Sequence, residues 1–355
     1  MAIDELVRGT IRGLNEITYS KDTGGKISLA LGEMPFPPSP KVIAAIHKHA
    51  HLVNRYPSES KRVINALAHY VGVDSTQIVL GNGSDELIEL ITETFVNPDE
   101  HVLIPIPTFP EYELAARKAG GAPIYILRAD NFEINPEEVL EHITPGTKLI
   151  FIANPNNPTG NILQRADIIT IIAQSGCIVV IDECYYEMYG KTVVDLIDTY
   201  QNLIVLRSFS KTFSLAGLRA GYAIANETIS GYISRAKPPF NMNRIAQAAM
   251  LAALDDITYA EEMMSRMKEE KARLIDALTD LNLNVFPSET NFLLVNCGTT
   301  GKTSTELVDA LYTNGIVVKD GNIYNGLEKD TYIWFGVGTK EENDALITSL
   351  YHILL

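Results

Sequence analysis

The strongest constraint on the fold of this chain is a series of short, continuously apolar runs separated by helical or turn-rich stretches. Residues 77–80, 101–104, 124–127, 148–153, 177–181, 202–206 and 220–224 are such runs. Strands without polar alternation are buried on both faces, and alternation with helices makes their sheet mainly parallel. A large α/β domain follows, with ligands expected beyond the carboxyl ends of its strands.

From about Tyr259 to Leu281 the pattern becomes one long helix, with Met264, Met267, Leu274, Leu278 and Leu281 at three- and four-residue spacing. Short strands and helices after it form a smaller α+β domain. The expected division is an N-terminal arm with part of the small domain over 1–44, the large domain over 45–245 and the small C-terminal domain over 246–355. Before the first helix of the large domain, Met34-Pro-Phe-Pro-Pro-Ser-Pro40 holds four prolines, which favour an extended strap across another surface.

Composition narrows the partners. With 29 basic and 44 acidic residues in 355, the net charge of −15 argues against nucleic acid or an anionic membrane. Three widely spaced cysteines, Cys177, Cys184 and Cys297, suggest a reducing compartment, and no apolar run has the length of a membrane span. A cytoplasmic protein is expected. His47 and His51 share a helix spacing, but without a nearby acidic or cysteine ligand they make a weak metal pattern, and no metal site is expected.

The chemistry concentrates in Ser208–Arg219. Lys211, flanked by Phe209 and Phe213 after an apolar strand, is placed to have its ammonium pKa lowered by desolvation, which frees the amine to attack a carbonyl. Ser208, Ser210 and Arg219 supply hydroxyls and a forked cation suited to phosphate. An amine for a carbonyl beside a phosphate cradle describes pyridoxal 5'-phosphate, although a Ser/Lys-rich surface loop has the same composition. At 77–91, a strand, a glycine turn and Ser84-Asp85 opening a helix form either a second phosphate contact or an ordinary N-cap. Asp182, at the end of a buried strand, needs a cation such as a protonated pyridine nitrogen. Asn157, between two prolines, could donate to a phenolate oxygen, and Phe109 offers a ring for stacking on a flat heterocycle.

Five segments stand together in one order: Gly-Ser-Asp-Glu at 83–86, Asn-Pro-Asn-Asn-Pro-Thr-Gly at 154–160, Asp-Glu-Cys-Tyr at 182–185, Ser-Phe-Ser-Lys at 208–211 and Leu-Ala-Gly-Leu-Arg-Ala-Gly-Tyr at 215–222. In these the chain resembles, over essentially its full length, the fold-type I pyridoxal-phosphate aminotransferases, and within them the histidinol-phosphate branch. The resemblance implies the aspartate aminotransferase-like fold, with a mainly parallel seven-stranded sheet. It implies that Lys211 condenses with the cofactor and moves the substrate proton, and that Asp182 keeps the pyridine nitrogen protonated. Asn157 and Tyr185 would bond the ring oxygen, and Phe109 would stack on the ring. Backbone groups of Ser84 and Asp85, with Ser208, Ser210 and Arg219, would hold the phosphate. Tyr56 would reach the cofactor of a second subunit, which makes a homodimer with shared sites the expected assembly. Glu183 is expected on the opposite face from Asp182 and of less consequence.

The chain departs from the family near its end. Where relatives usually carry a substrate-gripping arginine it has Trp334, and Lys319 replaces a second one; Arg244 is another candidate cation. Tyr19, Arg244, Lys319 and Trp334 are the candidate substrate-binding residues. The resemblance implies transfer of an amino group from histidinol phosphate to the 2-oxo acid 2-oxoglutarate. An O-phosphothreonine decarboxylase, another amino-acid aminotransferase and a non-enzymatic cofactor-binding regulator are the alternatives.

Overall fold

The computed structural model describes residues 3–14 and 23–355. The seven apolar runs form one sheet, in the spatial order Ile78–Gly81, Gly221–Ala225, Leu203–Ser208, Ile178–Asp182, Thr147–Ala153, His101–Ile106 and Ala122–Leu127. Gly221–Ala225 pairs antiparallel with both its neighbours, and the other pairings are parallel. The mainly parallel seven-stranded sheet expected from the sequence is present. Six strands therefore end on the same edge, which gathers Gly81, Ile106, Ala153, Asp182 and Ser208 there.

Two apolar layers cover the sheet. One packs Val42, Leu67, Ile168, Ile172 and Met250 against Leu80, Leu103, Ile181 and Val205; the other packs Leu87, Ile91, Ala116 and Ile233 against Val79, Val102, Val180 and Ile204. Alternate residues of each strand serve opposite layers, which is why neither face is polar.

A four-stranded sheet, Lys319–Asp320, Tyr332–Gly336, Phe292–Asn296 and Asn284–Val285 in that order, builds the smaller unit. Its strands pair antiparallel. The helix Ile257–Asp280 buries Met263, Met267, Leu274 and Leu278; Met263 replaces the expected Met264 as the first fully buried member of the stripe. Ala246, Ala249, Met250 and Ala253 pack in the large-sheet core, past residue 245. We propose that the division between the units falls inside the long helix.

The proline-rich segment has no regular structure until Pro40–Ala50, whose first turn is capped by Ser39 Oγ accepting from Val42 N at 3.3 Å. It lies across the long helix, where Tyr259 Oη donates to Pro37 O at 3.1 Å and the Arg266 guanidinium sits 4.6 Å from the Phe36 ring centre.

The antiparallel strand passes close to the start of helix Ser84–Phe95. A Cβ on Gly221 would stand 2.8 Å from both Gly83 C and Ser84 N. Those are backbone atoms and cannot yield without moving the helix. Gly221→Ala is expected to destabilise the protein by about 1–3 kcal/mol, read as a lowered denaturant midpoint in urea. An unchanged midpoint would refute the close approach.

Candidate active site

A cavity of about 520 Å³ opens at the carboxyl edge of the large sheet and extends to the small one. Ser84, Asp85, Phe109, Asn157, Asp182, Tyr185, Ser208, Ser210, Lys211, Arg219, Lys319 and Trp334 all line it, so twelve candidate residues from distant parts of the sequence meet in one place. Two candidates do not. Tyr56 is 77% exposed and stacks on Phe240, with ring centres 4.7 Å apart. Arg244 spends its guanidinium on the 55–58 turn, donating to Arg55 O at 3.3 Å, to Tyr56 O and to Ser58 Oγ at 3.4 Å. It lies outside the cavity lining, because the helix it opens, Arg244–Leu254, packs on Pro40–Ala50 and the large-sheet core. Tyr19 lies outside the described residues.

Asp182 is buried at the end of its strand. Its Oδ2 accepts from Tyr112 Oη at 2.7 Å and its Oδ1 from Cys184 N at 3.0 Å. Burial raises its carboxyl pKa, and the bonds from Cys184 and Tyr112 only partly oppose this. Among the described residues no cation pairs with it, so the charge has neutral donors alone. Tyr112 is held by stacking on Phe151, with ring centres 4.7 Å apart and planes at 6°. Reading the sequence missed this tyrosine, although it closes the Pro107–Tyr112 segment that drew attention to Phe109.

Lys211 follows the strand Leu203–Ser208. Its Nζ donates to Leu31 O at 3.3 Å and Gly32 O at 3.2 Å, and it lies 5.8 Å from the Tyr185 ring centre. Burial lowers its pKa, as the flanking aromatic residues led us to expect. The two carbonyls come from the N-terminal strap and carry no side-chain signal that a sequence could reveal.

The phosphate-type donors converge across the cavity floor. Gly83 precedes the helix Ser84–Phe95 with φ +91°, and no side chain caps the helix start. Its first amides therefore remain available to an anion. A Cβ on Gly83 would come 2.6 Å from Arg219 Nη2, so only glycine lets the guanidinium approach. Arg219 adopts φ +54° and pairs with Asp85 Oδ2 at 2.6 Å. Ser208 Oγ accepts from Ser210 N at 3.1 Å, which folds that loop beneath the same point.

The opposite wall belongs to the small sheet. Lys319 and Trp334 are cross-strand partners, and Lys319 Nζ lies 4.8 Å from the indole centre. Burial, then the Lys211 charge, lower the Lys319 pKa to about 8. Trp334 is buried against Phe292, with ring centres 4.9 Å apart. Asn157 Oδ1 accepts from Tyr324 Oη at 3.4 Å, and Asn156 ties its loop to Pro107 O at 3.0 Å.

A cavity with a depressed-pKa amine, an uncompensated carboxylate and an anion cradle matches what the family comparisons return. The model of the family "Aminotransferase class I and II" matches residues 24–350. The chain belongs to the class I and II aminotransferase family. It is 40% identical over 365 residues to a histidinol-phosphate aminotransferase of Thermoanaerobacter pseudethanolicus, covering 99% of this chain and all of that protein. A histidinol-phosphate aminotransferase of Methanocaldococcus jannaschii is 36% identical, over 92% of this chain and 89% of its own length. The crystal structure of the Clostridium acetobutylicum histidinol-phosphate aminotransferase superposes with a TM-score of 0.85 at 27% identity, covering 92% of this chain and 98% of that one. The Sinorhizobium meliloti histidinol-phosphate aminotransferase, solved in complex with pyridoxal-5'-phosphate, superposes at 0.91 over 98% of this chain and 97% of that one, and at 24% identity it supports the fold.

In this aminotransferase the Tyr112–Asp182 bond is open to test. Tyr112→Phe removes a bond to a buried charge, so about 1.5–3 kcal/mol of stability should be lost at neutral pH. Asp182 has a folded pKa above its unfolded value, so its ionised form is the costly one in the native state. The loss should therefore shrink as pH falls through that raised pKa and the carboxyl becomes neutral. Urea unfolding at pH 7 and pH 4 checks this, and an equal loss at both would contradict the account.

Proposed function

We propose that the chain is a pyridoxal 5'-phosphate-dependent aminotransferase that moves the amino group of histidinol phosphate to 2-oxoglutarate. The observation that carries the reading is the pairing, in one cavity, of the Lys211 amine, whose pKa burial depresses, with the Asp182 carboxylate, which has no cation beside it among the described residues. The residues present fit the cofactor: Asp182 suits a pyridinium, and the cradle that Gly83 keeps open against Arg219 suits a phosphate. When bound, the cofactor supplies an aldehyde that captures the substrate amine and a ring that accepts the electrons left by the departing α-proton.

The chain's own groups do the rest. Asp182 holds negative charge at the pyridine nitrogen, with Tyr112 fixing the carboxylate's direction. Lys211 Nζ takes and returns the substrate proton, a role for the uncharged amine, which burial favours by lowering its pKa. The backbone amides of Ser84 and Asp85, with Ser208, Ser210 and Arg219, orient the phosphate end. Asn157 and Tyr185 would hold the ring oxygen, and Phe109 would stack on the ring face. Lys319, over Trp334, attracts the substrate's anionic group; Arg244 is assigned instead to holding the 55–58 turn. The exposed Tyr56–Phe240 pair, beside that turn, suits contact with a second copy of the chain in a homodimer. The cytoplasm suits three unpaired thiols.

Glutamate formation from 2-oxoglutarate with histidinol phosphate tests the reading directly. Release of carbon dioxide without amino transfer would replace it with a decarboxylase. Borohydride reduction of the loaded protein should fix the cofactor on Lys211, and Lys211→Ala should lose turnover; a label mapped to any other lysine would overturn the assignment.

Lys319 supplies a pH signature. With its pKa near 8, the charge that attracts substrate anions is present below that pH and lost above it. KM for a phosphorylated substrate should therefore rise above pH 8 in the wild type. In Lys319→Met it should be raised by about tenfold or more at neutral pH and vary less with pH, while Lys319→Arg should carry the low-KM range to higher pH. Steady-state kinetics between pH 6.5 and 9.5, in steps of about half a unit, would read this; equal KM values in the wild type and the methionine variant would contradict it.

A further inference from the structure

Behind the cavity, on the other side of the strand ends, Glu183 and Arg207 form an ion pair with side chains 1% and 3% exposed. Arg207 Nη2 lies 2.7 Å from Glu183 Oε2, and its Nε donates to the same oxygen at 2.9 Å. Glu183 also accepts from Val193 N and Thr192 Oγ1, each at 2.8 Å. Arg207 Nη2 donates to Thr192 Oγ1 at 2.9 Å, and the guanidinium lies 3.4 Å from the Tyr186 ring centre.

Each partner adjoins a cavity residue: Glu183 follows Asp182, and Arg207 precedes Ser208. Neighbours in extended backbone point to opposite sides, so Asp182 and Ser208 face the cavity while the pair joins their strands beneath it. The backbone ladder continues through Glu183 N donating to Leu206 O at 2.9 Å. The bonds from Thr192 and Val193 close the loop that carries Cys184 and Tyr185, two further lining residues.

We propose that the Glu183–Arg207 pair is a positioning device that fixes the separation of Asp182 from Ser208, and so the span between the pyridine and phosphate ends of the cofactor site. This rests on the functional reading above. Stability alone gives no reason for the pair, since apolar residues of similar volume commonly replace a buried ion pair without loss. A forked guanidinium on a carboxylate is directional, and that direction is what apolar packing lacks.

The double variant Glu183→Leu/Arg207→Met separates the two roles. Thermal unfolding should stay within about 5 °C of the wild type. Titration of the cofactor-free protein with pyridoxal 5'-phosphate, followed by absorbance, should show affinity weakened by about tenfold or more, with an altered absorption band and a fall in kcat exceeding any change in KM. A folded double variant with wild-type affinity, spectrum and kcat overturns the proposal. If the double variant does not fold, Arg207→Lys, which keeps the charge but not the fork, is read in the same way: weakened affinity supports the proposal, and wild-type affinity with wild-type kcat overturns it. Wild-type protein that takes up no cofactor overturns the functional reading with it, whereas a wild type that binds beside unaffected variants overturns this proposal alone.

Discussion

A carboxylate at the end of a fully buried strand is the constraint from which the site's architecture follows. Ionising Asp182 in that position is costly unless donors surround it. The chain provides the backbone N–H of Cys184, fixed by the turn that ends the strand, and the Tyr112 hydroxyl, fixed by stacking on Phe151. Tyr112 sits one turn into the segment that begins with Phe109, so holding the carboxylate also anchors a second wall of the cavity. Asn156 extends the restraint, since it bonds Pro107 O and accepts from Thr108 Oγ1 at 2.7 Å. Three loops after three parallel strands are thereby locked around one charge.

The surroundings of Lys211 depend on a different part of the chain. Its amine is shielded by the strap at Leu31–Gly32, and that strap is held by the small unit: Asn291 Nδ2 donates to Gly32 O at 2.8 Å and to Glu33 O at 3.2 Å. Gly32 takes φ +59°, and a Cβ there would stand 3.0 Å from Trp334 Cη2. Lys271, on the long helix, holds the Asn291 loop from below by donating to Ser288 O at 2.6 Å and Thr290 O at 2.8 Å. Desolvation of the amine is thus a joint product of both units. A shift of the small sheet would change the Lys211 environment without touching its own strand.

How much of this could be read from residues alone divides along physical lines. Unbroken apolar runs declared the parallel sheet, because burial on both faces leaves no polar alternation to confuse them. Lys211, Asp182 and the serine-rich turn were legible because each is costly or unusual at a strand end. Backbone acceptors such as Leu31 O and Gly32 O left no trace, since every residue carries a carbonyl. Arg244 was a candidate as a cation, yet its helix packs beside Pro40–Ala50 and its guanidinium is used locally. Glu183 was judged secondary because it faces away from Asp182. That orientation is correct, and it is also what lets Glu183 meet Arg207, 24 residues further on.

Trp334, which stands where the resemblance leads one to expect an arginine, would change the kind of selection the pocket can make. A guanidinium fork binds a carboxylate through two directional bonds, and so favours planar anions whatever else they carry. An ammonium beside a buried indole is a point charge on a flexible stem, which tolerates anions of different shape. The proposed reaction makes that demand, since the phosphate of histidinol phosphate and the carboxylates of 2-oxoglutarate would meet the same wall in turn. The physical demand therefore falls on Lys319, whose flexible stem can follow either anion while the buried Trp334, packed on Phe292 and against Gly32, stays in place.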